Sequence, residues 1–508
     1  MTDEASARPS SGVGAGRPGS GAASIPLQLA LLLLVAGALR ALQLDSPLWY
    51  DEIVTLVEFV RLPPAELLST YPSTNNHLLY SLLAHTSIAV FGESAWALRL
   101  PAALLGLGSL AAFWWLAHEI APARQARLAC WGVALSYHHV WFSQNARGYT
   151  GILLFTWLGT ALFLRARRTA HTRDWLGYAV VLALASWTHL SATLTFAAHG
   201  IVYLCDEAWR MRSPRHPFDA RPLAAFAGGL GLTALLYAPV IPDLTATLTA
   251  QSVAGRGAAT VRTWKSPLWT LLEIARSLPF GAASYLVAFG AAAIGATGLA
   301  SLARKRPFDA LLLVLPAALT LAALLAAGFN IWPRYFLPSL GFAAILGVRG
   351  LFVVAAAVLD RPQSTAGRGA RAATTAAVLA IVLSAAMLPR NYRHPKQDYP
   401  AARELVLARR GPSEPVLTLG LASFAYGRYY EPTWHALESV EQLDQLQLLH
   451  PRLWIVYAFP THLRGARPEL YERVMRDFEP VRSFPGTLGD GDVHVLSSRA
   501  TRTPRPRP

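Results

Sequence analysis

Two adjacent carboxylates, Asp51 and Glu52, stand a few residues past the first long apolar run, in the stretch Asp45-Ser-Pro-Leu-Trp49-Tyr50-Asp51-Glu52. Neighbouring residues do not share a helix face, so the pair reads as two groups with different jobs. A carboxylate at the rim of a partly dry cleft can take a proton from an incoming hydroxyl. A water-facing loop also needs acidic residues, and an Asp-Glu dipeptide alone does not choose between the two. The same loop continues Asn75-Asn76-His77-Leu78-Leu79-Tyr80. There His77, at the start of a helix, could donate a hydrogen bond, ligate a metal or cap.

Three arginines mark the same boundary between apolar run and loop. Arg99 lies in Arg99-Leu100-Pro101, Arg147 in Ser143-Gln144-Asn145-Ala146-Arg147-Gly148-Tyr149, and Arg334 in Trp332-Pro333-Arg334-Tyr335. A guanidinium at the edge of a membrane needs a phosphate or carboxylate partner, or else reaches the interface as an anchor. Bidentate anion binding suits its planar fork. With Lys265 in the 243–275 loop they form a group of cations suited to a lipid-linked phosphate. His138, His139 and His189 lie near the same level but lack metal-site spacing. No glycine-rich nucleotide loop and no GxSxG nucleophile motif is present.

What must position these groups is a bundle of membrane helices. The chain has 508 residues, 53% hydrophobic and only 15% charged, where soluble domains carry roughly 25%. Apolar runs of about 18 residues or more recur, each able to span a bilayer. A soluble enzyme, a disordered chain and a β-barrel with its period-two strands are thereby excluded. The net charge of +15 does not mark a nucleic-acid partner, because the arginines gather in short loops. Those loops are His118–Arg127, Arg165–Arg173, Arg210–Arg221, Arg304–Arg306 and Arg361–Arg371, the positive-inside pattern. Of the 45 basic residues only Lys265, Lys305 and Lys396 are lysine, the bias of a GC-rich bacterial gene. Cys130 and Cys205 lie in apolar runs and imply no disulfide framework.

If all five basic loops are cytoplasmic, the N-terminus is cytoplasmic and about 11 helices cross. They fall near 25–44, 97–117, 127–143, 149–165, 175–190, 191–208, 222–242, 276–302, 309–329, 335–356 and 372–390. The count requires His77–Phe91 to lie along the outer surface rather than cross. Residues 1–23, rich in Gly, Ser and Ala, precede this 24–390 membrane domain as a disordered cytoplasmic segment. Within it, 45–96 is the first extracytoplasmic loop. Residues 391–498 read as a small α/β domain, with strands at Pro415–Leu419, Leu453–Phe459 and Asp492–Leu496 and helices at Ala401–Arg410 and Pro468–Phe478. A disordered tail, 499–508, follows.

Taken together, these motifs resemble the GT-C superfamily of integral-membrane glycosyltransferases, in its bacterial branch related to protein O-mannosyltransferases and aminoarabinose transferases. Trp49-Tyr50-Asp51-Glu52 is similar to that family's acidic first-loop motif. Asn76-His77-Leu78-Leu79-Tyr80 stands where the family often has His-Pro-Pro-Leu-Tyr. Phe91-Gly92-Glu93 with Arg99-Leu100-Pro101, Gln144-Asn145-Ala146-Arg147-Gly148-Tyr149 and Arg334-Tyr335-Phe336-Leu337-Pro338 resemble three later motifs, in order, over about residues 25–390. The resemblance implies a GT-C fold in a bacterial inner membrane, with the active site and C-terminal domain outside the cytoplasm. It implies inverting transfer of a sugar from a polyprenyl-phosphate donor to a lipid, glycan or protein acceptor. Asp51 would be the catalytic base, with Glu52 beside it. Asn76, His77, Arg99, Gln144, Arg147, Tyr149, Lys265, Arg334 and Tyr335 would meet substrate. No organic cofactor is implied, and a divalent metal is left open, weakened because Asn76 stands where some relatives have a carboxylate.

The rival reading is a lipid or glycolipid transporter without transferase activity. A transporter should carry ionisable residues or broken helices near the bilayer midplane, often with repeat symmetry. Here charge concentrates at the rim and no repeat is visible.

Overall fold

The computed structural model describes residues 24–212, 219–257, 262–276, 278, 281–360 and 367–498. Both segments expected to be disordered, 1–23 and 499–508, lie outside these. Among the described residues seven helices are long and apolar enough to cross a membrane: Ala95–Ile120, Tyr149–Thr169, Arg221–Ala250, Ala283–Lys305, Pro307–Ala327, Ser339–Leu359 and Arg368–Arg393. The remaining four expected spans are also helical but shorter or more polar. They are Ser24–Ala41, the broken pair Ala123–Ala134 and Tyr137–Ser143, Thr172–Thr188, and Thr193–Arg210. The last ends in Asp206, Glu207 and Arg210, and Asp206 pairs with Arg167 of the neighbouring helix as well as with Arg210. The expected 276–302 span begins later, because Pro267–Arg276 forms a separate helix before it.

Leu78–Phe91 is a helix of 14 residues. At 1.5 Å per residue that is about 21 Å, short of the roughly 30 Å hydrocarbon core. It packs on Ala95–Ile120, whose first turn is capped by Ser94 accepting from the Ala97 N–H at 3.3 Å. Pro101 within that helix has no N–H to give the Ala97 carbonyl. The Ser87 hydroxyl takes that place at 2.6 Å, and Tyr80 donates to the next carbonyl, Leu98, also at 2.6 Å. Arg99-Leu100-Pro101 is thus the point where the short helix is bolted to the long one.

The two crossing helices nearest the site are the core of the bundle. Their apolar windows are 61% and 78% buried for Ala95–Ile120 and Tyr149–Thr169, against 11% to 28% for the other five. The later helices face lipid and approach one another through small residues. A Cβ on Gly298 would stand 2.0 Å from the Leu346 carbonyl oxygen, and one on Gly350 1.9 Å from that of Ile294.

The C-terminal region is a five-stranded sheet, β1 (Val416–Leu419), β2 (His435–Ala436), β3 (Trp454–Ala458), β4 (Phe478–Phe484) and β5 (Val493–Ser498), in the order β2-β1-β3-β5-β4. β1 pairs parallel with β2 and β3, whereas β5 runs antiparallel to β3 and β4. Every residue of β1 and β3 is buried, as parallel strands covered on both faces require. The three strands and two helices read from the sequence are present. β2 and β4 were not expected; the Pro480 and the exposed Glu479, Arg482 and Ser483 of β4 suit an edge strand rather than a central one.

The first loop is not a loose connection. Tyr50–Thr55 is a helix, and Leu48, Ile53, Leu56 and Val60 of the loop share one core with Tyr399, Val416, Tyr426 and Trp454 of the C-terminal region. The chain reverses its winding between β1 and β3, the point at which open α/β sheets hold ligands. In this molecule Tyr50 sits there, its ring 6.1 Å from both Phe424 and Phe459.

Candidate active site

Asp51 and Glu52 occupy the first turn of the Tyr50–Thr55 helix and point to different surroundings. Glu52 is fully buried. It accepts from Arg99 Nε at 2.8 Å and Nη2 at 2.5 Å, from the Ala146 N–H at 2.8 Å and from the Trp49 N–H at 3.4 Å. Burial pushes its carboxyl up, but Arg99 and Lys396 more than offset that and hold it below the usual range. Arg99 spends its other donors on the carbonyls of Leu44, Ser46 and Pro47. The ion pair is therefore a clamp that fixes the loop in front of Asp51. Arg99 was expected to meet substrate; it has no accessible surface and every donor is engaged within the protein.

The Asp51 carboxylate is differently placed. No hydrogen bond reaches it among the described residues. Two guanidiniums stand near its Oδ2, Arg147 Nη1 at 3.6 Å and Arg334 Nη1 at 3.9 Å. Arg147 is 2% exposed, yet its Nε and Nη1 have no hydrogen-bond partner, and neither has Arg334 Nε. Buried donors of this kind are rare in a finished core and are normally satisfied. Two cations face one carboxylate, so the cleft carries excess positive charge.

His77, Arg147 and Gly148 explain why the two motifs that contain them converge. The Gly148 N–H donates to His77 Nδ1 at 3.0 Å, and a Cβ on Gly148 would lie 2.6 Å from that nitrogen. Since Nδ1 accepts, the hydrogen of a neutral imidazole sits on Nε2. Arg147 Nη2 lies 3.2 Å from that Nε2 and donates to Asn75 Oδ1 at 3.0 Å. Imidazole and guanidinium thus present donors side by side, which an anionic oxygen would satisfy. Burial, together with Arg147, His189 and Arg334, holds His77 well below its usual range and keeps it neutral. The same causes, apart from its own ring, lower His189 to about 4.

The Tyr149 ring is 5.2 Å from His77 and 5.7 Å from the Arg147 guanidinium. Tyr335 lies 6.5 Å from His189 and 5.9 Å from Arg334. Lys265 follows Trp264, whose carbonyl accepts from the Ile331 N–H at 2.7 Å and whose ring packs 4.8 Å from Trp332; it thus borders the turn that carries Arg334. Asn76 and Gln144 turn away from the cleft. Asn76 accepts from Ser81, while Gln144 donates to the Arg40 and Leu42 carbonyls and accepts from Asn391. Both were expected at the substrate; both side chains are engaged within the protein.

Sequence reasoning did not find Asn75, Lys396 or Gln397, and it weighed His189 only as a metal ligand. Lys396 Nζ donates to the Gln144 carbonyl at 2.5 Å and lies 3.8 Å from Glu52. Burial lowers its ammonium to about 7, with Glu52 opposing that and Arg99 adding to it. Gln397 accepts from the Tyr50 N–H at 3.0 Å and donates to the Gly491 carbonyl at 3.1 Å. A divalent metal does not fit these groups. Among the described residues no three His, Cys, Asp or Glu side chains converge, and guanidiniums stand where Asp51 would meet a cation.

Residues 76–227 match the family model described as dolichyl-phosphate-mannose-protein mannosyltransferase. The crystal structure of ArnT from Cupriavidus metallidurans bound to undecaprenyl phosphate superposes with a TM-score of 0.53 at 13% identity, covering 96% of this chain and 100% of that one. The chain shares the fold of that structure. The Archaeoglobus fulgidus oligosaccharyltransferase tethered with an acceptor peptide aligns at a TM-score of 0.48 and 12% identity, over 92% of this chain and 74% of that one. No curated protein sequence matches. The region matched by the family model begins at Asn76 and takes in His77, Arg99, Arg147 and His189. The first loop and the C-terminal sheet share one core, and Asp51 of that loop faces Arg147 and Arg334.

Proposed function

We propose that this chain is a membrane glycosyltransferase that moves a sugar from a polyprenyl-phosphate donor to an acceptor outside the cytoplasm, with inversion and with Asp51 as base. The observation that carries the reading is the pairing of an Asp51 carboxylate that accepts no hydrogen bond with the unpartnered buried donors of Arg147 and Arg334. The ArnT structure of the same fold is described as bound to undecaprenyl phosphate, the class of ligand this donor set suits.

In the reaction the acceptor oxygen gives its proton to Asp51 and forms a bond to the anomeric carbon from the face opposite the phosphate. The bond between that carbon and the phosphate oxygen breaks, and its electron pair leaves with the polyprenyl phosphate. The leaving group gains one negative charge. Arg147, Arg334 and the Nε2–H of His77 are fixed donors at the place where that charge grows, which is where preorganised hydrogen bonds accelerate a reaction most. His77 serves best neutral, and its surroundings keep it so. Glu52, Arg99 and Lys396 hold the loop and take no part in proton transfer. On this reading the site and the sheet domain face away from the cytoplasm, and N-terminal residues face it.

The test is the purified chain in liposomes given polyprenyl-phosphate sugars and a cell-envelope extract as acceptor. Release of polyprenyl phosphate coupled to a glycosylated acceptor supports the transferase. Donor movement between leaflets with no release supports the transporter instead.

A further inference from the structure

An open groove lies toward the other end of the bundle. The helices Ser24–Ala41, Ala123–Ala134 and Arg368–Ala385 all run toward Asp51. The first leads into the Asp51 loop, the second through Tyr137–Ser143 to Arg147, and the third to Lys396. Near their starts lies this groove, of about 400 Å³, lined by Gln28, Leu31, Leu128, Trp131 and Thr374, with Arg124 and Arg127. Gln28 is 12 residues before Arg40, so the groove sits about 18 Å below the active-site end along that helix.

Its chemistry is two-sided. Leu31 is 53% exposed and, with Leu27 at 71% and Leu34 at 73%, belongs to a face turned to the lipid. On the other side stand Arg124 and Arg127, one turn apart, and neither meets a carboxylate among the described residues. Arg127 has only a 3.4 Å contact to Gln28 Oε1, and Arg124 lies 6.0 Å from the Phe352 ring. Arg371, exposed, is one turn before Thr374 on the third helix. Two guanidiniums at a helix start, an indole at interface depth and an apolar wall open to acyl chains are complementary to one kind of molecule. A free phosphate would leave the Leu31 wall unused, and a neutral lipid would leave the charge of the two arginines unmatched.

We infer that this groove binds one anionic glycerophospholipid of the leaflet opposite the active site, its phosphate on Arg124 and Arg127 and an acyl chain along Leu31. The site is separate from the donor-binding cleft and does not depend on the proposed transferase activity.

The experiment is native mass spectrometry of the full chain released from nanodiscs of phosphatidylcholine containing phosphatidylglycerol. Wild type is expected to retain phosphatidylglycerol in preference to phosphatidylcholine. Arg124→Gln with Arg127→Gln should weaken retention roughly 30-fold, the loss of two arginine contacts at a membrane surface. Leu31→Trp, which keeps both charges and puts an indole across the acyl-chain wall, should lose the lipid as well, with size-exclusion profiles confirming that both variants fold. Equal retention by the double variant, or full retention by Leu31→Trp, would overturn the inference. Displacement by an equal amount of polyprenyl phosphate would overturn the assignment to a phospholipid.

Discussion

Arg99 grips Glu52 through two hydrogen bonds, 2.8 Å to Oε1 and 2.5 Å to Oε2, with both side chains fully buried. One carboxylate of an adjacent pair is thereby spent on architecture. Its neighbour Asp51 faces the cleft with no hydrogen bond of its own. The division follows from the helix: successive residues point about 100° apart, so only one of the two can reach Arg99 while the other faces the cleft.

Glu52→Gln is expected to cost stability rather than chemistry alone. The substitution leaves Arg99 charged and buried with no anion, and breaking a buried pair this way costs roughly 3–5 kcal/mol. Thermal unfolding of the detergent-solubilised chain measures it. A midpoint within a degree of wild type would show that the clamp does not hold the loop.

Lys396 gives a pH signature. Its ammonium is lowered from 10.5 to about 7 in the folded chain. Between these values the unfolded chain binds a proton that the folded chain has released, so stability rises with pH across the window. Below about 7 both states are protonated and the effect of burial stays unfavourable. Unfolding midpoints between pH 7 and 10 should climb more steeply for wild type than for Lys396→Met. Parallel curves would contradict the burial of a titrating amine.

Most of the fold was legible because each membrane helix writes its own hydropathy. The site was legible in part. Asp51, His77, Arg147, Tyr149 and Arg334 sit at or just before helix starts, and that placement can be read locally. The role of Arg99 cannot, since an interfacial arginine looks the same whether its partner is a substrate phosphate or Glu52. Lys396 and Gln397 carry no local motif; they reach the acidic loop only because the last membrane helix returns the chain to it. β4 was hidden by Pro480, which reads as a break but is tolerated at a sheet edge.

Gly148→Ala places a methyl where the nearest atoms are His77 Nδ1 at 2.6 Å and Thr188 Cγ2 at 3.0 Å. The imidazole must move, taking its Nε2–H away from Arg147. We expect kcat for sugar transfer to fall roughly a hundredfold, the scale of an ångström-sized misplacement. Unaltered kcat in a folded protein would remove His77 from the account.

Gln397→Ala takes away the acceptor of the Tyr50 N–H and the tie to Gly491, loosening the turn that presents Asp51. The expected signature is kcat reduced roughly tenfold or more with the donor KM nearly constant, because Arg147 and Arg334 are untouched. A change confined to KM would place Gln397 at the substrate, and no change in either would leave it structural.

The most direct measurement is single-turnover sugar transfer by Asp51→Asn, which keeps the shape of the side chain and removes the base. Donor binding should persist on the unaltered arginines while the transfer rate drops by about 10² to 10⁴, the range that a positioned general base contributes. Transfer at the wild-type rate, with protein level and donor binding unchanged, would contradict the assignment of Asp51 and with it the mechanism.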